Sequence, residues 1–142
     1  MGIARMKTVQ MATIDVLVVD DFNARRDFVK ACQYQKTGMH ITGAAEAIQK
    51  AKELQPNLVI LDISLPGPDG IEAAWQIRTL IPRSKILFLS GSSDSEVVRL
   101  ALMAGGDGYV LKWDAALELV AGVEAVLLGH RFISSGLADR VF

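Results

Sequence analysis

Five residues in this 142-residue chain combine the types and surroundings that chemistry needs: Asp20, Asp21, Asp62, Ser90 and Lys112. Each stands at the end of a short apolar run: residues 16–19, 58–61, 86–89 and 109–111. Three carboxylates brought together repel one another and invite a cation. An all-oxygen donor set favours Mg²⁺, which takes one or two carboxylates and keeps room for phosphate oxygens. A lysine opposite them supplies a point charge for a phosphoryl oxygen, and a serine hydroxyl donates to another. A carboxylate is also a nucleophile toward phosphorus, giving an acyl phosphate. Phosphoryl transfer asks a protein mainly for positioning and charge neutralisation. The chemistry implied is Mg²⁺-assisted phosphorylation of an aspartate. Taken singly, each residue has an ordinary role as a helix cap, a turn former or a solvated lysine. Their convergence on strand ends carries the reading.

The four apolar runs lack alternation, as parallel strands buried on both faces do. Residues 40–44 form a weaker candidate for an edge strand. Between the runs lie segments with helical spacing. Phe28 and Cys32 mark residues 23–35, and Ile48, Ala51 and Leu54 line one face of 46–54. A third helix begins at Ile71 and closes before Pro82. A fourth, with Val97, Leu100, Ala101 and Ala104, stops at Gly105-Gly106, which suits a left-handed cap. Residues 115–128 make the fifth. Strict β–α alternation predicts a doubly wound α/β domain with a five-stranded parallel sheet and helices on both faces. In such a sheet ligands bind beyond the carboxyl ends of the strands, where the five polar residues fall.

Composition narrows the partners. Lys and Arg number 15 against 16 Asp and Glu, a net charge of −1, which gives no footprint for nucleic acid or an acidic membrane. The single cysteine, Cys32, excludes an intramolecular disulfide framework and any CxxC site. No apolar run reaches the ~20 residues that span a bilayer. The basic N-terminus is followed by an apolar stretch broken at Asp15, unlike a signal peptide. The expected compartment is the cytoplasm, with no membrane partner.

Four fragments are recognisable together: Val18-Val-Asp-Asp21, Leu61-Asp-Ile-Ser-Leu-Pro-Gly-Pro-Asp-Gly70, Leu89-Ser-Gly-Ser92 and Ala104-Gly-Gly-Asp-Gly-Tyr-Val-Leu-Lys112. In this order and spacing, the chain resembles the receiver domain of bacterial two-component response regulators, from about Ile14 to Gly129. The resemblance implies a flavodoxin-like strand order, 2-1-3-4-5. It implies Asp62 as phosphoacceptor, Asp21 on Mg²⁺ directly, Asp20 through water, and the Ser64 backbone carbonyl as a further metal ligand. Ser90 becomes the switch hydroxyl, Lys112 the partner of the phosphoryl group, and Tyr109 the switch aromatic whose ring swings inward. A sensor histidine kinase is the implied donor. The domain assists its own phosphorylation and is not a turnover enzyme on an external substrate.

Two departures stand out. Trp113 replaces the proline that many receivers carry after the lysine, so a trans peptide and some loop adjustment are expected. Gly91 offers no side chain to shield the phosphoryl pocket. A haloacid-dehalogenase-type hydrolase would need an acid two residues after the nucleophile, where Ser64 stands. No GxGxxG or P-loop motif supports a nucleotide binder, and the intact acidic, serine and lysine set argues against a degenerate receiver.

Residues 1–13 are expected to be a leader, 14–129 the receiver, and 130–142 a tail. Residues 119–135 resemble the passage from receiver to helix-turn-helix domain in regulators of the nitrate- and quorum-sensing (NarL/LuxR) type. Either a DNA-binding output domain follows the tail, or the receiver stands by itself; both fit. The tail has no charge excess for nucleic acid. The fifth helix carries only Glu118 and Glu124 as charges, so part of its outer face is apolar. That points to a homodimer through this helix, or through the face it forms with the fourth helix and the last strand. Asp69 is expected to cap the third helix and Ser93 or Asp94 the fourth. Trp75 is placed in packing or at a helix surface, Cys32 in the core. Isolated His40 and His130 are not read as metal ligands.

Overall fold

The structure, a computed structural model, describes residues 14–19, 37–63 and 69–137. Residues 1–13, residues 20–36, which include the helix expected at 23–35 with Cys32, and residues 64–68 and 138–142 lie outside the described residues.

The strands are β1 (Ile14–Val19), β2 (Thr37–Thr42), β3 (Leu58–Asp62), β4 (Lys85–Ser90), β5 (Gly108–Leu111) and β6 (Phe132–Ile133). The helices are α1 (Ala47–Leu54), α2 (Asp69–Leu80), α3 (Ser95–Met103) and α4 (Ala115–Leu127). All strand pairs are parallel, in the order β2-β1-β3-β4-β5-β6. The expected 2-1-3-4-5 order is therefore present, with a short sixth strand added beside β5. The weak edge strand expected at 40–44 lies at 37–42, because Ile14 pairs with Thr37 and Val19 with Thr42. Thr37 and Gly38 carry no apolar signal, so only the pairing reveals the strand's start.

The missing alternation has a direct cause: both faces of the sheet are buried. Leu17, Val19, Val59, Leu61, Ile86, Phe88, Tyr109 and Leu111 face one side, packed with residues of α1, α2 and α3. Val16, Val18, Leu58, Ile60, Leu87, Leu89 and Val110 face the other, against Ala115, Leu119, Val123 and Val126 of α4. Each fully buried aliphatic side chain contributes roughly 1.5–3 kcal/mol.

Helix ends follow the residues that end them. Asp94 is the N-cap of α3, its Oδ1 accepting from the Glu96 amide at 2.9 Å. Past the end of α3, Gly105 takes φ +112°, a conformation that disfavours a side chain. Helix α2 begins at Asp69, two residues before the position periodicity gave. Trp75 lies largely exposed on it. Its Arg78 reaches the sheet's amino edge. One guanidinium nitrogen donates to the carbonyls of Pro82 (2.8 Å) and Ser84 (2.9 Å), the other to the Gly105 carbonyl (2.6 Å) and Asp107 Oδ2 (2.7 Å). The Ile86 amide donates to the same carboxylate oxygen at 2.9 Å. One arginine thus joins α2, the start of β4 and the turn into β5.

The folded unit continues past the boundary expected at Gly129. Phe132 pairs with Gly108 and Ile133 with Tyr109. Beyond them Ser134 and Leu137 are fully buried. A two-residue strand is too short to announce itself by pattern; the exposed edge of β5 provides the reason it forms.

Candidate functional site

Three of the residues that could do chemistry fall within the described residues, and all three lie at the carboxyl edge of the sheet. Asp62 is the last residue of β3, Ser90 the last of β4, and Lys112 follows β5 directly. Adjacent strands in register bring them there: Asp62 pairs with Leu89, and Ser90 with Leu111. Asp62 and Ser90 are 2% and 1% exposed, so both polar groups depend on partners rather than bulk water.

Asp62 has such a partner fifty residues away. Lys112 Nζ donates to Asp62 Oδ2 at 2.8 Å, an ion pair with the carboxylate buried and the ammonium partly in water. The backbone beneath Asp62 is fixed by Gly70 in the first turn of α2. A Cβ there would lie 2.8 Å from the Asp62 carbonyl oxygen, so the helix packs on the strand end only because the side chain is absent. The Lys112–Trp113 peptide is trans, as expected. The loop adjustment takes the form of a 3-10 turn, Lys112–Asp114, which leads into α4 with Trp113 exposed.

The loop after Ser90 is a run of side-chain turns. Ser90 Oγ accepts from the Ser92 amide (3.0 Å), Ser92 Oγ from the Asp94 amide (3.2 Å), and Asp94 from Glu96. Tyr109 is fully buried, and its hydroxyl donates to the Ser92 carbonyl at 2.7 Å. The ring therefore points inward, 6.4 Å from Phe88 between centroids. Burial pushes the Tyr109 phenol above its ordinary pKa; hydrogen bonds with Ser90 and Ser92 pull the other way, and the Asp94 charge adds to the rise.

Ser92 thus links Ser90 to Tyr109, through its amide on one side and its carbonyl on the other. Its signal was present in the i, i+2 spacing of Ser90, Ser92 and Asp94. Asp20, Asp21 and Ser64 lie outside the described residues. His40 Nε2 stands 3.7 Å from Asp15 Oδ1, and His130 is exposed.

The chain is similar to known proteins. The family model for the response regulator receiver domain matches residues 16–124. Response regulator GacA of Pseudomonas viridiflava is 30% identical over 132 residues, covering 90% of this chain and 62% of that protein. Transcriptional activator protein ExaE of Pseudomonas putida is 38% identical over 96 residues, covering 68% of this chain and 45% of the relative. The chain thus spans less than two-thirds of these relatives' lengths. The crystal structure of a LuxR-family two-component response regulator from Aurantimonas sp. SI85-9A1 superposes with a TM-score of 0.80 at 32% identity, over 92% of this chain and 96% of that one. With the match running from β1 into α4, the chain belongs to the response regulator receiver domain family, in its NarL/LuxR-type branch.

Proposed function

We propose that this receiver is a phosphorylation switch in which Asp62 accepts a phosphoryl group from a sensor histidine kinase. The observation that carries the proposal is the 2.8 Å pair between Lys112 Nζ and the buried Asp62 carboxylate. In the step, an Asp62 oxygen bonds to phosphorus as the P–N bond to the donor imidazole breaks. The imidazole nitrogen keeps the electron pair and takes a proton from solvent. Lys112 then exchanges its carboxylate partner for a phosphoryl oxygen, and Ser90 turns its hydroxyl toward another. Because the Ser92 amide loses its acceptor when Ser90 moves, the carbonyl that holds Tyr109 shifts with it.

Asp62 offers the hard oxygen that Mg²⁺ selects. Asp20 and Asp21 follow β1 directly in sequence, and Val19 at its end pairs with Leu61 beside Asp62. Asp20, Asp21, Asp62 and the Ser64 carbonyl would hold the ion, which when bound neutralises charge on the phosphoryl oxygens. The chain does not turn over an external substrate; its product is its own acyl phosphate. Incubation with Mg²⁺ and acetyl phosphate should add phosphate mass, as an acid-stable, base-labile adduct absent from Asp62→Asn. No adduct from acetyl phosphate or a kinase would overturn the proposal.

An added Cβ on Gly91 meets nothing within 4 Å, which supports an open route for water to the phosphoryl group. Gly91→Val should lengthen the phosphoryl half-life, and an unchanged half-life counts against this route. The output is control of transcription in the cytoplasm, through a domain or partner beyond this chain. No helix among the described residues is long and apolar enough to cross a membrane. Leu117, Ala121 and Leu128 make an exposed stripe, interrupted by Glu124, on and just past α4, with Leu117 88% exposed. This stripe supports a homodimer through α4, whereas β6 already occupies the edge of β5. Ultracentrifugation of the phosphorylated chain should show a dimer that Leu117→Glu disperses; a monomer throughout would sink the idea.

A further inference from the structure

The polar groups on the outer edge of β5 need partners, since the strand is wholly buried. Strand β6 supplies only two paired residues, opposite Gly108 and Tyr109. Ser134 then takes over with two different atoms. Its amide donates to the Tyr109 carbonyl at 2.9 Å, and its hydroxyl oxygen accepts from the Leu111 amide at 2.8 Å. Ser134 is itself fully buried. The next residues hold it in place: Ser135 donates its hydroxyl to Glu118 Oε2 of α4 at 2.8 Å, and Leu137 is buried in the cluster that contains Tyr109 and Leu111.

Leu111 is the residue immediately before Lys112, and Tyr109 stands two before Leu111. A hydroxyl outside the site thus fixes the strand end from which the lysine reaches Asp62. We infer that Ser134 is a positioning residue for phosphoryl transfer, acting through the Leu111 amide on Lys112. This rests on the phosphoacceptor reading of Asp62 and extends it to a segment that sequence assigned to a tail. Without the hydroxyl, the Leu111 amide is a buried donor that must move to find a partner. Lys112 moves with it, and small misplacements of a charge-neutralising group are costly in rate.

The test compares the full chain with Ser134→Ala, Ser134→Thr, Lys112→Ala and the Ser134→Ala/Lys112→Ala double variant. A Trp75→Phe background leaves Trp113, next to Lys112, as the only tryptophan. Labelling by acetyl phosphate should slow about tenfold in Ser134→Ala and recover in Ser134→Thr. Mg²⁺ affinity, read from Trp113 fluorescence, should stay within about twofold, since Lys112 does not bind the ion. In the Lys112→Ala background, Ser134→Ala should cost nothing further. Equal labelling rates for wild type and Ser134→Ala overturn the inference. So does a parallel fall of rate, Mg²⁺ affinity and melting temperature, or two losses that multiply in the double variant. Should Ser134→Ala not fold, Ser134→Thr and Ser134→Val, alike in shape, differ in the acceptor; Thr should label about tenfold faster, and equal rates overturn the inference. A wild-type chain that takes no phosphate from acetyl phosphate or from a kinase overturns the Asp62 reading instead, and this inference with it.

Discussion

The two edges of the sheet each carry a cation–carboxylate pair of nearly equal length, and they are built for opposite purposes. At the amino edge, Arg78 meets Asp107 at 2.7 Å and also satisfies three backbone carbonyls, while Asp107 accepts from the Ile86 amide. At the carboxyl edge, Lys112 meets Asp62 at 2.8 Å with a single ammonium on a flexible stem. A guanidinium is a rigid fork that commits several donors at once, and exchanging any partner disturbs the rest. An ammonium is a point charge that can change oxygens without rebuilding its surroundings. Burial sharpens the contrast: Asp62 is 2% exposed, whereas the Asp107 side chain is 30% exposed. One pair is a staple. On the proposed function, the other is a placeholder for a phosphoryl group.

The comparison breaks most visibly at the lysine. Lys112→Met should slow labelling of Asp62 by about 10²-fold, the scale of losing one charge-stabilising group, while the far-ultraviolet spectrum keeps its native form. Labelling at the wild-type rate would make the carboxyl-edge pair structural too. The reverse pattern is expected at the other edge. Arg78→Ala should lower unfolding free energy by about 2–4 kcal/mol in urea titrations, with the labelling rate of folded protein unchanged. Arg78→Lys should recover little of it, because an ammonium cannot span the four acceptors.

Gly105→Ala tests the same staple from beneath. Its backbone sits at φ +112°, and a Cβ would lie 2.9 Å from Arg78 Nε, so a loss of about 1–2 kcal/mol is expected by the same titration. The smallest effect belongs to Tyr109. Its phenol pKa is raised in the fold, mainly by burial, above the unfolded value near 10. The neutral phenol's contribution is therefore complete below about pH 10 and declines as pH rises through the folded value. Urea midpoints should fall with pH above about 10 in wild type and less steeply in Tyr109→Phe, which at neutral pH should cost about 1 kcal/mol for the hydrogen bond to Ser92. Identical slopes would mean that Tyr109 is not the group responsible.

Much of this contrast was readable in the chain and some was not. Asp62, Ser90 and Lys112 were found because each ends an apolar run, and strand ends in a parallel sheet share an edge. Ser92 stands out less, because Ser93 or Asp94 already accounts for the cap of the helix that follows. Arg78 and Asp107, separated by 29 residues, have no local pattern that joins them. The boundary at Gly129 was drawn where helical spacing ended, but Phe132 and Ile133 belong to the sheet through pairing with β5.

Local sequence determined what depends on neighbours in the chain: the doubly buried strands, the helices and most of their ends, and the kinds of polar group delivered to one edge. These follow from apolar periodicity and capping chemistry, which act over a few residues. Tertiary structure decided what depends on register between distant segments. It joined Lys112 to Asp62, turned Tyr109 inward onto Ser92, set Arg78 on Asp107, and closed the edge of β5 with Ser134. Each of these is a buried polar group satisfied from far away. Such groups must find partners, but the sequence around them does not say which.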